Sequence, residues 1–217
     1  MAKIISAKEA VSMVKSGSRV MFSGFLAVGC PEQLIDALVE QNTKDIHMIV
    51  IAADYEDRGV GKLVVNKQIK SVQISHIGTN REMQKQYNEG ELTIEFVPQG
   101  TLMERIRAAG AGIGGFFTPT GVGTVVEEGK EIREIDGKKY ILEMPIHADI
   151  SLIKARKADK HGNLVFSKTA RNSNPIMATA GKIVIAEVDE IVENGEISAE
   201  DVVTPGIFVD YLVKREG

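Results

Sequence analysis

From Arg19 to Gly110, short apolar runs of strand type alternate with segments of helical periodicity, and this alternation constrains the fold more than any other feature. Arg19 to Phe22, Ile46 to Ala52, Val72 to Ile77 and Leu92 to Val97 read as strands. The second of these is apolar but for His47, as a strand covered on both faces largely is. Between them lie predicted helices. Ser6 with Glu9 three residues on forms a capping-box pattern that opens a helix through about Ser16, with Gly17 placed to end it. Pro31 suits the first turn of a helix running to about Gln41, with Leu34, Ile35, Leu38 and Val39 as its buried stripe. Asn80 to Asn88 reads as a polar helix, and Thr101 as the cap of a helix in which Leu102, Ile106 and Ala109 recur at helical spacing. Strands that alternate with helices imply an α/β fold with an open, largely parallel sheet layered with helices.

The second half is richer in strands. After a glycine-rich stretch from Gly110 to Gly123, Glu131 to Ile135 and Lys138 to Leu142 flank Asp136-Gly137 and predict a β-hairpin with a type I′ turn. Ile150 to Ile153, Leu164 to Phe166 and Ile183 to Val188 read as further strands, and Pro175 to Ala180 as a helix. No internal repeat or low-complexity linker divides the 217 residues, so one domain, 1–217, is expected.

Composition narrows the function. With 26 Lys+Arg against 30 Asp+Glu the formal charge is −4, which argues against a general binder of nucleic acid or of anionic membranes. No run approaches the roughly 20 apolar residues a membrane helix needs, and Met1 to Ser6 lacks the apolar core of a secretory signal. The expected location is cytoplasmic, which the single cysteine fits. The four histidines, His47, His76, His147 and His161, have no metal-ligand spacing, so no metal site is expected.

Two segments have the arrangement of a ligand site. Ser23 to Pro31 carries Gly24 and Gly29, which let backbone approach a ligand closely, and leads into a helix whose free amides can meet a phosphate or carboxylate. The same pattern also describes an ordinary strand-to-helix turn. Cys30, beside that helix start, is a candidate nucleophile or a small packing thiol, and no neighbouring histidine favours the former. Gln99 and Gly100 sit between a strand and a helix, where open α/β sheets place their ligand crevice, although a solvent-facing turn amide has the same signature. Gly110, Gly112 and Gly115 satisfy G-x-G-x-x-G, but a helix precedes them and Pro119 interrupts any helix after them, so close-packed loop backbone is expected instead of a dinucleotide site. Arg58, Lys62, Lys67 and Lys70 form a local basic excess that either faces phosphates or is a solvated surface.

The segment from Gly17 to Pro31, Gly-Ser-Arg-Val-Met-Phe-Ser-Gly-Phe-Leu-Ala-Val-Gly-Cys-Pro, resembles the first signature of the family I coenzyme A transferases. Val97 to Leu102, Gly121 to Thr124, Ala148 to Lys154, Thr169 to Pro175 and Thr204 to Gly206 resemble further blocks of that family's α subunit, in the family's order. The similarity spans nearly the whole chain and is nearest to the acetate, butyrate and acetoacetate types.

The resemblance implies a subunit that works with a β subunit carrying the nucleophilic glutamate, with acyl-CoA and short-chain carboxylates as substrates, coenzyme A as co-substrate and no permanently bound cofactor. It assigns Gly24, Phe25, Leu26, Ala27, Val28, Gly29 and Cys30 to coenzyme A binding, Gln99 and Gly100 to the substrate, and no catalytic residue to this chain. Ser23 stands where relatives usually have glycine, and Ala52-Ala53-Asp54-Tyr55 departs from an asparagine-bearing segment of several relatives. Two other readings stay open. Glu193-Asn194-Gly195 mimics part of the β subunit's Ser-Glu-Asn-Gly motif, with Val192 in place of the serine, so a self-sufficient homomeric enzyme would use Glu193. A phosphate-ligand sensor of the same broad fold would use the glycine loops without acyl transfer.

Overall fold

The computed structural model describes residues 1–216. After a short strand β1 (Lys3–Ile4), the reciprocal cap forms as expected: Glu9 N–H donates to Ser6 Oγ at 3.2 Å and Ser6 N–H donates to Glu9 Oε2 at 2.8 Å. The helix it opens, α1 (Ala7–Val11), stops well short of Ser16. Ser12 explains the early end. Its hydroxyl donates back to the Glu9 carbonyl at 2.7 Å, while Met13 and Val14 donate to the carbonyls three residues back and tighten the chain into a turn.

The expected alternation then runs through β2 (Arg19–Phe22), α2 (Glu32–Gln41), β3 (Ile46–Ile49), β4 (Ile69–Ile74 after the short helix α3, Gly61–Val65), α4 (Arg81–Asn88) and β5 (Thr93–Phe96). Helix α3 has no counterpart in the sequence pattern, because five residues carry too little periodicity to register. Strand β4 begins three residues earlier than Val72 and ends before Ile77. Helix α5 (Gln99–Gly110) starts at Gln99, not at Thr101. Pro98 is its cap residue, and Thr101 lies buried within its first turn, so Gln99 and Gly100 are helical residues and not a loop.

A small antiparallel sheet joins β6 (Phe116–Thr118), β7 (Ile132–Ile135) and β8 (Lys138–Glu143). Asp136 and Gly137 turn its hairpin with φ of 49° and 74°, the two left-handed residues of a type I′ turn. Gly110 ends α5 and Gly115 leads into β6, so no helix N-terminus follows the G-x-G-x-x-G pattern. Close packing holds for Gly110, where a Cβ would meet Thr179, whereas Gly112 and Gly114 face open space. The chain returns to the main sheet through β9 (Ala148–Asp159), β10 (Leu164–Val165), α6 (Asn174–Met177), β11 (Gly181–Val192) and β12 (Tyr211–Lys214). Both β9 and β11 extend well beyond the segments the apolar pattern marks.

The main sheet has the order β1-β12-β11-β9-β2-β3-β4-β5, every neighbouring pair parallel, with β10 added antiparallel to β9. Strand alternation divides its side chains between two apolar clusters. Val20, Phe22, Met48, Val72, Leu152 and Ile185 pack under α1 to α4, and Met21, Ile49, Ile153, Val184 and Leu212 pack under α5 and α6. Among the described residues no helix is long and apolar enough to cross a membrane.

Candidate functional site

Strand β2 delivers the chain into a loop whose shape is fixed from within. Phe25 and Val28 exchange both backbone hydrogen bonds, at 3.1 and 3.0 Å, around Leu26 and Ala27, which have φ of 50° and 65°. This is a type I′ turn built without glycine. Gly24 and Gly29 flank it with φ of 112° and 78°. The close approaches these glycines permit are to the protein itself. A Cβ on Gly24 would lie 2.2 Å from Cys30 Sγ, and one on Gly29 would lie 2.5 Å from the Ala170 carbonyl oxygen. Ser23 is fully buried and donates to the Gly29 carbonyl at 3.1 Å, so its extra atoms point into the loop's own packing.

Two alternatives left open for this segment are resolved, in favour of the ordinary strand-to-helix turn and of the packing thiol. The α2 amides are not free to meet an external anion, because Gln33 N–H and Leu34 N–H donate at 2.9 and 3.2 Å to Glu187 Oε2, a fully buried carboxylate from β11. The helix therefore carries its own counter-ion. Cys30 is a buried thiol, and burial together with the nearby Asp54 carboxylate pushes its pKa well above the usual thiol value. The neutral thiol persists through the physiological range and cannot act as the nucleophile.

The cavity at the site lies at the carboxyl ends of β2 and β3. Phe25, Leu26, Val28, Ile51, Gln99, Thr169 and Asn172 line about 330 Å³. It unites three of the sequence blocks: the turn, the start of α5 and the segment before α6. Gln99 is exposed and, among the described residues, its side-chain amide meets no protein partner. The amides of Gln99, Gly100 and Thr101 likewise meet no acceptor among the described residues, and Pro98 supplies no side-chain cap, so the first turn of α5 keeps open the donors that α2 spends on Glu187. Gly100 is not among the lining residues; a Cβ there would meet nothing within 4 Å. Gly24, Ala27, Gly29 and Cys30 are not among the residues that line the cavity.

Sequence reasoning assigned no role in the site to four residues that build it. Asn172 Nδ2 donates to the Val28 carbonyl at 2.8 Å, Gly24 N–H donates to Ser173 Oγ at 3.2 Å, and Asn174 Nδ2 donates to the Gly29 carbonyl at 3.1 Å. Ala27 N–H donates to Asp54 Oδ1 at 2.9 Å. The run Asn172-Ser173-Asn174 of small polar residues was the available signal.

Other candidates fall away from the cavity. Glu193 follows the end of β11, is exposed, and pairs with Lys160. Arg58 pairs with Asp57 at 3.0 Å, Lys62 with Glu32 at 2.6 Å and Lys67 with Glu91 at 2.8 Å, so three of the four cations in this basic excess are locally neutralised, while Lys70 is exposed. His47 Nδ1 lies 2.7 Å from Ser71 Oγ on the sheet face. A larger open cleft of about 490 Å³ between α1 and α2 is lined by charges of both signs, including Lys8, Glu32, Asp36 and Arg215, and lies apart from the three blocks. Among the described residues no group of three or more His, Cys, Asp or Glu side chains is placed to hold a metal ion.

With this geometry in hand, comparison with known proteins defines the class. The coenzyme A transferase family model matches residues 4–215, and the chain belongs to that family. It is 44% identical over 211 residues to the alpha chain of the acetate CoA-transferase of Escherichia coli K12, covering 97% of this chain and 96% of that protein. It is 49% identical over 214 residues to one subunit of the probable succinyl-CoA:3-ketoacid coenzyme A transferase of Bacillus subtilis, covering 98% of this chain and 90% of that one. Among solved structures, an acyl-CoA transferase of E. coli O157:H7 in a thioester complex with CoA superposes with a TM-score of 0.91 at 23% identity over 99% of this chain, which spans 47% of that longer protein. Glutaconate coenzyme A-transferase from Acidaminococcus fermentans gives 0.86 at 21% identity, covering 98% of this chain and 75% of that one. These two likenesses establish the open parallel sheet as the family's fold.

Proposed function

We propose that this chain is the α subunit of a heteromeric, cytoplasmic acyl-CoA:carboxylate CoA-transferase of the acetate, butyrate or acetoacetate class, with the nucleophilic glutamate on a β subunit. The observation that carries this reading is the chemistry of the cavity wall. It offers apolar surface from Phe25, Leu26, Val28 and Ile51 and neutral polar groups from Gln99, Thr169 and Asn172, with no carboxylate and no cation among them. A site so lined suits a thioester and its amide-containing pantetheine arm, and its lack of a carboxylate supports a nucleophile supplied by another polypeptide. The α2 N-terminus that would have served a phosphate sensor is filled by Glu187. Glu193, outside the cavity and paired with Lys160, does not support a self-sufficient enzyme.

In this reading the partner's glutamate attacks the acyl-CoA carbonyl, and the tetrahedral oxyanion collapses with release of the CoA thiolate to leave an acyl-glutamyl anhydride. The thiolate then attacks the glutamyl carbonyl and frees the first carboxylate, giving a glutamyl-CoA thioester. A second carboxylate reverses both steps, so the kinetics are ping-pong. This chain supplies donors and shape. Phe25, Leu26 and Val28 hold the thioester end of coenzyme A, with Gly24, Ala27, Gly29 and Cys30 fixing their backbone, while Gln99 and the open amides of Gly100 and Thr101 receive the carboxylate at the first turn of α5.

The test is to incubate the chain, alone and with its β subunit, with acyl-CoA, trap with borohydride or hydroxylamine, and locate the modified glutamate by peptide mass. The expected adduct maps to the β subunit; modification of Glu193 in the isolated chain would overturn the assignment. A second measurement addresses Gln99. Because its side chain has no protein partner, Gln99→Ala should leave thermal unfolding unchanged and lower kcat/KM for the carboxylate by about tenfold to a hundredfold, the loss of one hydrogen bond to a charged group.

A further inference from the structure

Leu26 and Ala27 both hold left-handed backbone conformations that L residues resist, and they do so in the turn that walls the cavity. Something must hold them there. Asn172, Ser173 and Asn174 grip the two ends of the loop, at Val28, Gly24 and Gly29. The tip itself is gripped by one side chain, Asp54, whose Oδ1 accepts from Ala27 N–H at 2.9 Å. Its other oxygen accepts from Val60 N–H at 3.1 Å and lies 3.4 Å from Cys30 Sγ. Asp54 is 1% exposed, takes a left-handed φ of 54° itself, and is not among the residues lining the cavity. A single buried carboxylate therefore ties the turn tip to the segment before α3 and to the residue before Pro31.

Peptide planarity gives this bond a direction. The Leu26 carbonyl and Ala27 N–H belong to one trans peptide, so fixing the N–H on Asp54 turns Leu26 C=O the opposite way, away from the buried carboxylate. Among the described residues no donor meets that carbonyl oxygen. Leu26 is a lining residue of the cavity, and a free carbonyl on it is an acceptor for an amide N–H, the group that the pantetheine arm of a CoA thioester carries and that a simple carboxylate lacks.

We propose that Asp54 is a positioning residue for the CoA thioester: it locks the Leu26–Ala27 peptide so that the Leu26 carbonyl accepts a hydrogen bond from a pantetheine amide. The inference rests on the proposed function and adds a specificity element to it. Asp54 acts on the thioester substrate and leaves the carboxylate substrate to Gln99.

The experiment uses the whole heteromeric complex, in which the variants Asp54→Asn and Asp54→Ala are compared with the wild type. It measures KM for acyl-CoA, KM for the carboxylate, kcat, and hydrogen exchange of backbone amides. For Asp54→Asn, of nearly equal volume but short of one acceptor, KM for acyl-CoA should rise about tenfold, with kcat within about twofold and KM for the carboxylate unchanged. Asp54→Ala should show a larger rise in the same parameter. The Ala27 amide should exchange faster in both, while the α2 amides stay protected. An unchanged KM for acyl-CoA in either folded variant overturns the proposal. So does a joint loss of kcat and of both KM values together with α2 protection, which is the signature of a merely structural carboxylate. A wild-type complex that transfers no CoA would sink the proposed function instead; Ala27 exchange that remained slow in the variants would still refute the lock.

Discussion

Replacing Glu187 with alanine is expected to destabilise the chain by about 3–5 kcal/mol, the usual cost of removing one partner from a buried charge cluster. Glu187 is fully buried, Oε2 satisfies two first-turn amides of α2, and Oε1 lies 3.8 Å from Lys154 Nζ, which itself pairs with Asp189. Alanine would strand both amides and leave Lys154 with one acidic neighbour fewer. For a domain of this size the melting temperature should fall by roughly 6–20 °C, measured by thermal unfolding followed by circular dichroism. Glu187→Gln keeps an oxygen for the amides and should lose less. The pH dependence gives a second check. Burial raises the Glu187 pKa, against the lowering effect of Lys154 and the two amides. The folded state then binds more protons than the unfolded state in the window above the ordinary carboxylate value, so wild-type stability falls as pH rises through that window. Glu187→Gln should lack that slope; an identical slope in both proteins would mean that Glu187 is not the group titrating.

Gly24→Ala is expected to lower kcat/KM for acyl-CoA by about a hundredfold, the scale on which a displacement of about 1 Å acts in a catalytic site. Two causes add. The φ of 112° is one that L side chains rarely adopt, and the new Cβ would sit 2.2 Å from Cys30 Sγ and 3.0 Å from Cys30 N. The sulfur cannot simply swing away, because it is packed between the Ser23 carbonyl at 3.1 Å and Asp54 Oδ2 at 3.4 Å. The loop must move instead, carrying Phe25 and Leu26 with it. Combining Gly24→Ala with Cys30→Ala removes the side-chain clash and keeps the backbone strain, so the double variant should regain part of the lost activity. If the double variant is no better than the single one, the clash with Cys30 is not what displaces the loop.

Sequence pattern and structure part company at particular residues for identifiable reasons. The Ser6 cap was legible because both of its partners lie within four residues, but the length of α1 was not, because Ser12 ends it by a bond that propensity does not mark. The Asp136-Gly137 turn was legible because its two left-handed residues are local. The candidate anion site ahead of α2 could not be decided from sequence for the converse reason. A strand-to-helix turn with glycines looks the same whether its amides are open or taken, and the residue that takes them, Glu187, lies 154 positions from Gln33. The same holds for Gly24 and Gly29, whose freedom serves contacts with Cys30 and Ala170.

By itself, then, the sequence determined the alternating α/β order, the parallel sheet, the hairpin and the blocks that mark the family, all properties written in near neighbours and in the period of apolar residues. The tertiary structure alone decided that the turn at Leu26, the amide of Gln99 and the Thr169 to Asn172 segment share one cavity, that α2 holds its own carboxylate, and that α5 keeps its amides open. The physical reason is that hydrogen-bond satisfaction is settled between segments distant along the chain. Which donors remain free for a substrate is fixed only once every internal acceptor has found its place.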